Sequence, residues 1–206
     1  MTQFCSCGLA LFALVSSPLC GQQISFPPPV VRTNQEVRVS GLPSLKARTG
    51  DAPDVLATSL AIVFRDKDVC CERNSALDDR LPQSDPVSLN EVASKVQGRQ
   101  LLSDGRPILI SAEYSEHASI NSGQLINAIL AKHPALMVWN SRLYVVYGVI
   151  FDESVDNARG GIIYVIRKLL LLDARYSDSR REITFNRDTD DLTKVQGFLF
   201  LSVAPE

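Results

Sequence analysis

The chain has 206 residues, is 45% hydrophobic and 21% charged, and carries a formal net charge of −2. That length and apolar content suit one domain with a core of its own and exclude a disordered polar chain. The slight acidity, with Arg180-Arg181 as the nearest thing to a basic block, argues against nucleic acid, since phosphate binding needs a positive footprint.

The N-terminus reads as a secretion signal. Leu9-Ala10-Leu11-Phe12-Ala13-Leu14-Val15 is apolar and uncharged, Ser16-Ser17-Pro18 breaks it, and Gly21 offers a small residue before Gln22-Gln23. This order predicts a signal peptide over 1–21, cleaved after Gly21, and an exported protein, periplasmic or extracellular. The run is shorter than the roughly 20 residues a membrane-spanning helix needs. No Lys or Arg precedes it, and Leu19 stands where a smaller residue is usual. Lipidation at Cys20 is the minor alternative. No transmembrane helix is expected in the mature chain, because Arg167 and Lys168 interrupt the most apolar later run and charges at mid-membrane are costly. The lack of an N-x-[ST] acceptor is compatible with a bacterial source.

Cleavage changes the cysteine arithmetic. Of Cys5, Cys7, Cys20, Cys70 and Cys71, the first three leave with the signal. The adjacent pair Cys70-Cys71 remains, and an oxidising compartment makes a vicinal disulfide available to it. Consecutive Cα atoms lie about 3.8 Å apart across a trans peptide, whereas relaxed disulfides want about 4.4–6.8 Å. Such a bond is strained and easily reduced. It would serve as a ligand-facing platform or a redox switch; the plainer reading is a rigid turn or two small buried thiols.

Residues 22–53 read as an extended Pro-rich arm or linker, with Pro27-Pro28-Pro29, Gly41-Leu42-Pro43 and a strand at 36–40. A single α+β domain is expected over 54–206. Leu56 to Phe64, with β-branched Thr58, Ile62 and Val63, reads as a strand, a helix being the rival. Asn74 would cap a short helix over 75–80. Ser88 followed by Glu91 is a capping-box pattern. Leu89, Val92, Ala93 and Val96 then form one helical stripe, stopped at Gly98. Asp104-Gly105 marks a turn before a strand from Pro107 to Glu113, a polar loop over 114–119, and a helix from Ser122 to His133 closed by Pro134.

Beyond Pro134 the pattern turns to strands. Ala135–Trp139 and Arg142–Phe151 flank Asn140-Ser141 as a hairpin, with Leu143, Val145, Tyr147, Val149 and Phe151 alternating onto one face. Further strands are expected over 162–173, 182–186 and 197–203. Short connections imply antiparallel pairing. The fold class predicted is α+β: two or three helices in the first half, packed on a curved, mainly antiparallel sheet formed largely by the second half.

The common catalytic motifs are absent, and no cofactor or metal is called for. Asp188-Thr189-Asp190-Asp191 fails as a calcium loop, because Thr193 and Leu199 stand where Gly and Glu are required. Glu113, Glu116 and His117 concentrate after one strand, where a carboxylate and an imidazole could do acid–base work; the bland alternative is a solvated loop. Cys70 or Cys71 with His117 would make a thiol–imidazole pair. The aromatic residues Trp139, Tyr144, Tyr147, Phe151 and Tyr164 read as core, with a ligand-holding sheet face as the alternative. The leading expectation is an exported non-catalytic domain that binds a protein or small-molecule ligand. The alternative is a small secreted hydrolase or thiol-redox enzyme using Cys70/Cys71 or the Glu113–His117 loop.

Overall fold

A computed structural model describes residues 30–65, 81–82, 87–101, 105–116, 122–156, 161–176, 180–185 and 194–205. The signal segment, Cys70, Cys71, His117, the 75–80 helix and the 188–191 acidic run lie outside the described residues.

In chain order the elements are β1 (Val30–Arg38), α1 (Ala52–Arg65), α2 (Leu89–Val96), β2 (Gly98–Leu101), β3 (Pro107–Glu116), α3 (Ser122–Leu130), β4 (Ala135–Trp139), β5 (Arg142–Asp156), β6 (Gly161–Leu172), β7 (Arg180–Thr184) and β8 (Val195–Pro205). The strands form one open sheet in the order β2-β3-β8-β4-β5-β6-β7, with β1 on the same flank of β5 as β4 and further along it. Every pair of bonded neighbours is antiparallel. The expected α+β architecture is therefore present. β3 and β4 run parallel with β8 inserted between them, and α3 makes the crossover. Among the described residues no helix is long and apolar enough to cross a membrane.

Helices cover both faces of the central part of the sheet. α1 and α2 pack on one, where Leu56, Leu60 and Val92 meet Leu136, Val138, Leu143, Val145 and Leu199. α3 packs on the other, where Leu125, Ile126 and Ile129 meet Met137, Tyr144, Val146, Val149 and Phe198. Period-two alternation along β4 explains the split: Leu136 and Val138 serve the first core, Ala135 and Met137 the second.

α1 occupies the segment expected as a strand. Its apolar residues are buried nearly all round, so over nine residues the run has no face by which periodicity can separate helix from buried strand. The start signal lies just upstream. Asp51 Oδ1 accepts the Asp54 N–H at 3.0 Å, and Asp54 Oδ2 accepts the Thr49 N–H at 2.6 Å. Pro53 sits in the first turn, where its missing N–H costs nothing.

The hairpin at Asn140-Ser141 forms as expected, both residues at positive φ (49° and 59°), the primed turn that matches strand twist. α3 ends at Leu130, earlier than His133. Lys132 takes the left-handed position (φ 63°), and the N–H groups of Lys132 and His133 donate to the Ile129 and Ala128 carbonyls. That is a Schellman closure with a lysine where glycine is usual.

Candidate functional site

A cavity of about 310 Å³ lies beneath residues 38–45. This segment leaves β1 as a strap. At one end the Val39 N–H donates to the Tyr147 carbonyl at 2.7 Å; beyond the other, the Ala47 N–H donates to the Ala174 carbonyl at 2.7 Å. Gly41 bends it at φ +75°, a conformation that side-chain-bearing residues rarely take. Ile62 of α1 lies below, and Leu172, Asp173, Ala174, Tyr176 and Arg180 form the opposite wall.

Tyr147 reaches this cavity because β5 bulges there. Val146 pairs with Leu171 and Gly148 with Leu170, so Tyr147 is the residue without a partner in the ladder. The extra residue reverses the alternation: Leu143 and Val145 face α1 and α2, whereas Val149 and Phe151 face α3. The uniform face expected for 143–151 is thus broken in the middle. Bulges commonly re-aim a side chain in this way.

The wall is electrostatically uneven. The carboxylate of buried Asp173 holds Arg175 through Nε–Oδ1 at 2.8 Å and Nη2–Oδ2 at 3.1 Å. Burial pulls the Arg175 guanidinium down, but the Asp173 oxygens, with Tyr144 and Tyr176 adding to them, turn the net shift upward. Arg38 pairs with Glu36 at 3.0 Å. Arg180 lies over the Tyr147 ring at 5.8 Å from its centroid, and Arg181 over Tyr176 at 5.9 Å. Neither Arg180 nor Arg181 has an ion-pair partner among the described residues.

The acidic residues grouped by sequence are separated by the sheet. β3 runs on to Glu116, where a loop is expected from Tyr114, and the cause is pairing: Tyr114, Ser115 and Glu116 lie opposite Leu199, Phe198 and Gly197. Across the pleat Glu113 and Glu116 therefore occupy opposite faces. Glu113 lines a second cavity, about 320 Å³, between α3 and the β3–β8 pair, with Gln124 and His133. His133, which follows the C-terminus of α3, thereby also lines this cavity. Glu116 lies on the α2 side with Tyr114, whose phenol is pushed above its ordinary value by burial and by Glu116. Among the described residues no group of three or more His, Cys, Asp and Glu side chains could hold a metal ion.

Of the aromatic residues, Tyr144 and Phe151 are core and Tyr147 lines the first cavity. The sequence signals for that cavity were Gly41-Leu42-Pro43, a bend inside an extended segment, and Gly148, an isolated glycine inside a strand pattern. No protein-family model matches the chain, and no curated protein matches its sequence significantly.

Proposed function

We propose that the chain is an exported, non-catalytic ligand-binding domain whose ligand occupies the cavity beneath the 38–45 strap. One observation carries the reading: the strap is tied by backbone hydrogen bonds at both ends, to Tyr147 and Ala174, while about 310 Å³ beneath it stays open to side chains of mixed character. A volume near 300 Å³ is at the lower end of what small-molecule sites take. The test is a thermal-shift screen of small molecules on the exported protein, repeated on Ser40→Trp, which adds bulk at an exposed residue of the cavity lining. Ligands should raise the melting temperature of the parent and not of the variant. A screen without hits, or hits that ignore the tryptophan, would remove this reading.

The export half of the proposal rests on the N-terminal pattern. Intact-mass measurement of exported protein, with and without reduction before alkylation, tests it. A terminus at Gln22 and a Cys70-Cys71 pair that alkylates only after reduction are expected. Material that retains Met1 throughout would overturn export, and two thiols alkylating without reduction would overturn the vicinal disulfide.

The enzyme alternative keeps one supporting observation, that Glu113 and His133 line the same cavity. A carboxylate and an imidazole there could exchange protons with a bound molecule. Loss of a detected hydrolytic activity in both Glu113→Gln and His133→Asn would favour it.

A further inference from the structure

We infer that the strap cavity takes a small apolar molecule carrying one oxyanion, a carboxylate or a phosphate monoester, with its head at Arg180. The inference rests on the ligand-binding reading of that cavity. Three charged residues line the space: Arg38, Asp173 and Arg180. The Asp173 carboxylate is engaged by the Arg175 fork, so it offers little to a cationic ligand. Arg38 is held by Glu36. Arg180 is left as the cation with no carboxylate of its own among the described residues.

The way Arg180 is held matters. Its guanidinium carbon lies 5.8 Å from the Tyr147 ring centroid, a cation–π contact that keeps the head beside the cavity wall. That contact uses none of the guanidinium's five N–H donors. A planar guanidinium fork matches two oxygens of a carboxylate or phosphate. Arg181, with its guanidinium carbon 5.9 Å from the ring centroid of the wall residue Tyr176, adds positive potential from the neighbouring position. The chain as a whole is acidic, so this is a local basic site and not a general basic surface. Leu42, Leu45, Ile62 and Leu172 supply an apolar bed for the body of the molecule.

Calorimetry on the exported protein distinguishes the possibilities with three probes: 3-phenylpropionate, phenyl phosphate and the neutral 3-phenylpropionamide. At least one anion should bind roughly tenfold or more tighter than the amide, the ratio expected from one charge-assisted hydrogen-bond pair. The tighter anion names the head group. Arg180→Gln should erase that difference, and Arg180→Lys, which keeps the charge and loses the fork, should erase part of it. Unchanged melting of both variants shows that they fold. If the amide binds the parent as tightly as the anions, and Ser40→Trp abolishes binding, the oxyanion inference fails while the cavity reading stands. Anion binding indifferent to Arg180→Gln also overturns the inference. If none of the three probes binds, the inferred ligand class falls, and the Ser40→Trp screen alone decides the cavity reading.

Discussion

Asp173 and Arg175 are joined side chain to side chain across two residues. The Asp173 carboxylate is fully buried, and Arg175 lies with its guanidinium carbon 5.7 Å from the Tyr144 ring centroid. The pair shapes the turn after β6, where the Ala174 carbonyl accepts the Ala47 N–H that secures the strap. Removing one partner leaves a buried charge unpaired, at a cost of about 3–5 kcal/mol. Arg175→Met, which strands the buried Asp173 carboxylate, should therefore lower the urea midpoint strongly and weaken any ligand of the strap cavity. Asp173→Leu with Arg175→Met should recover much of the stability, because neither charge is then left alone. A double variant as unstable as the single one would show that the turn depends on something other than the pair.

Gly148 stands where β1, β5 and β6 crowd together. A Cβ built there would lie 2.7 Å from Leu170 Cδ1, 3.1 Å from Arg38 Cβ and 3.1 Å from the Val37 carbonyl oxygen. The Leu170 tip can rotate, but the β1 backbone has to shift. Overpacking of this kind costs about 1–3 kcal/mol. Gly148→Ala should lower the denaturation midpoint and speed amide exchange along β1, leaving β2 and β3 protected. Uniform loss of protection over the whole sheet would mean that the effect is not local to β1.

What could be read from the sequence depended on whether a residue's role was set by near neighbours. The Leu89/Val92/Ala93/Val96 stripe and the Asn140-Ser141 turn are local devices that appear as expected, and of the Ser88 capping box the Ser88 half forms. α1 was misread because its decisive feature, the Asp51–Asp54–Thr49 capping contacts, sits upstream of an apolar run that has no polar face. β1 was legible as extended chain, but its pairing with β5, more than a hundred residues on, leaves no local trace. The same limit hid the site. Arg38, Tyr147 and Arg180 are far apart in the chain and meet only through β1–β5 pairing, the β5 bulge and the β6–β7 connection. Glu113 and Glu116 were grouped by proximity in sequence, and the pleat then separated them.

The Ser88 cap offers a small, local test. Ser88 Oγ accepts the Glu91 N–H at 3.4 Å, but the Glu91 carboxylate turns to Lys95 at 3.0 Å instead of closing the box on Ser88. The capping half should dominate. Ser88→Ala is expected to cost about 1 kcal/mol, and Glu91→Ala less, since exposed i,i+4 pairs contribute about 0.3–0.5 kcal/mol. Chemical denaturation of the two variants side by side gives the order. The reverse order would mean that the ion pair, not the cap, holds the first turn of α2.

Asp152 ties together irregularities in two strands. Its Oδ1 accepts the N–H of Asn34, at φ 52° where the β1 register shifts; its Oδ2 accepts Arg167 Nε at 2.8 Å and Nη2 at 2.6 Å, where β6 shifts. The Asn34 N–H first, and Arg167 next, hold this carboxyl below the usual aspartate range, which centres near 3.9. A carboxyl depressed in the folded state adds stability that is fully present above its unfolded value. That stability is lost as pH falls through the folded one. The difference in melting temperature between the parent and Asp152→Asn should thus be constant near neutrality and shrink on acidification below about pH 4. The Asn34 amide should be protected in the parent and lose that protection in Asp152→Ala, which removes the acceptor oxygen, with β2 and β3 unaffected. An Asp152 carboxyl titrating by NMR at or above the ordinary value would show that the two bulges are held by backbone pairing alone, and the acid-side convergence would then disappear.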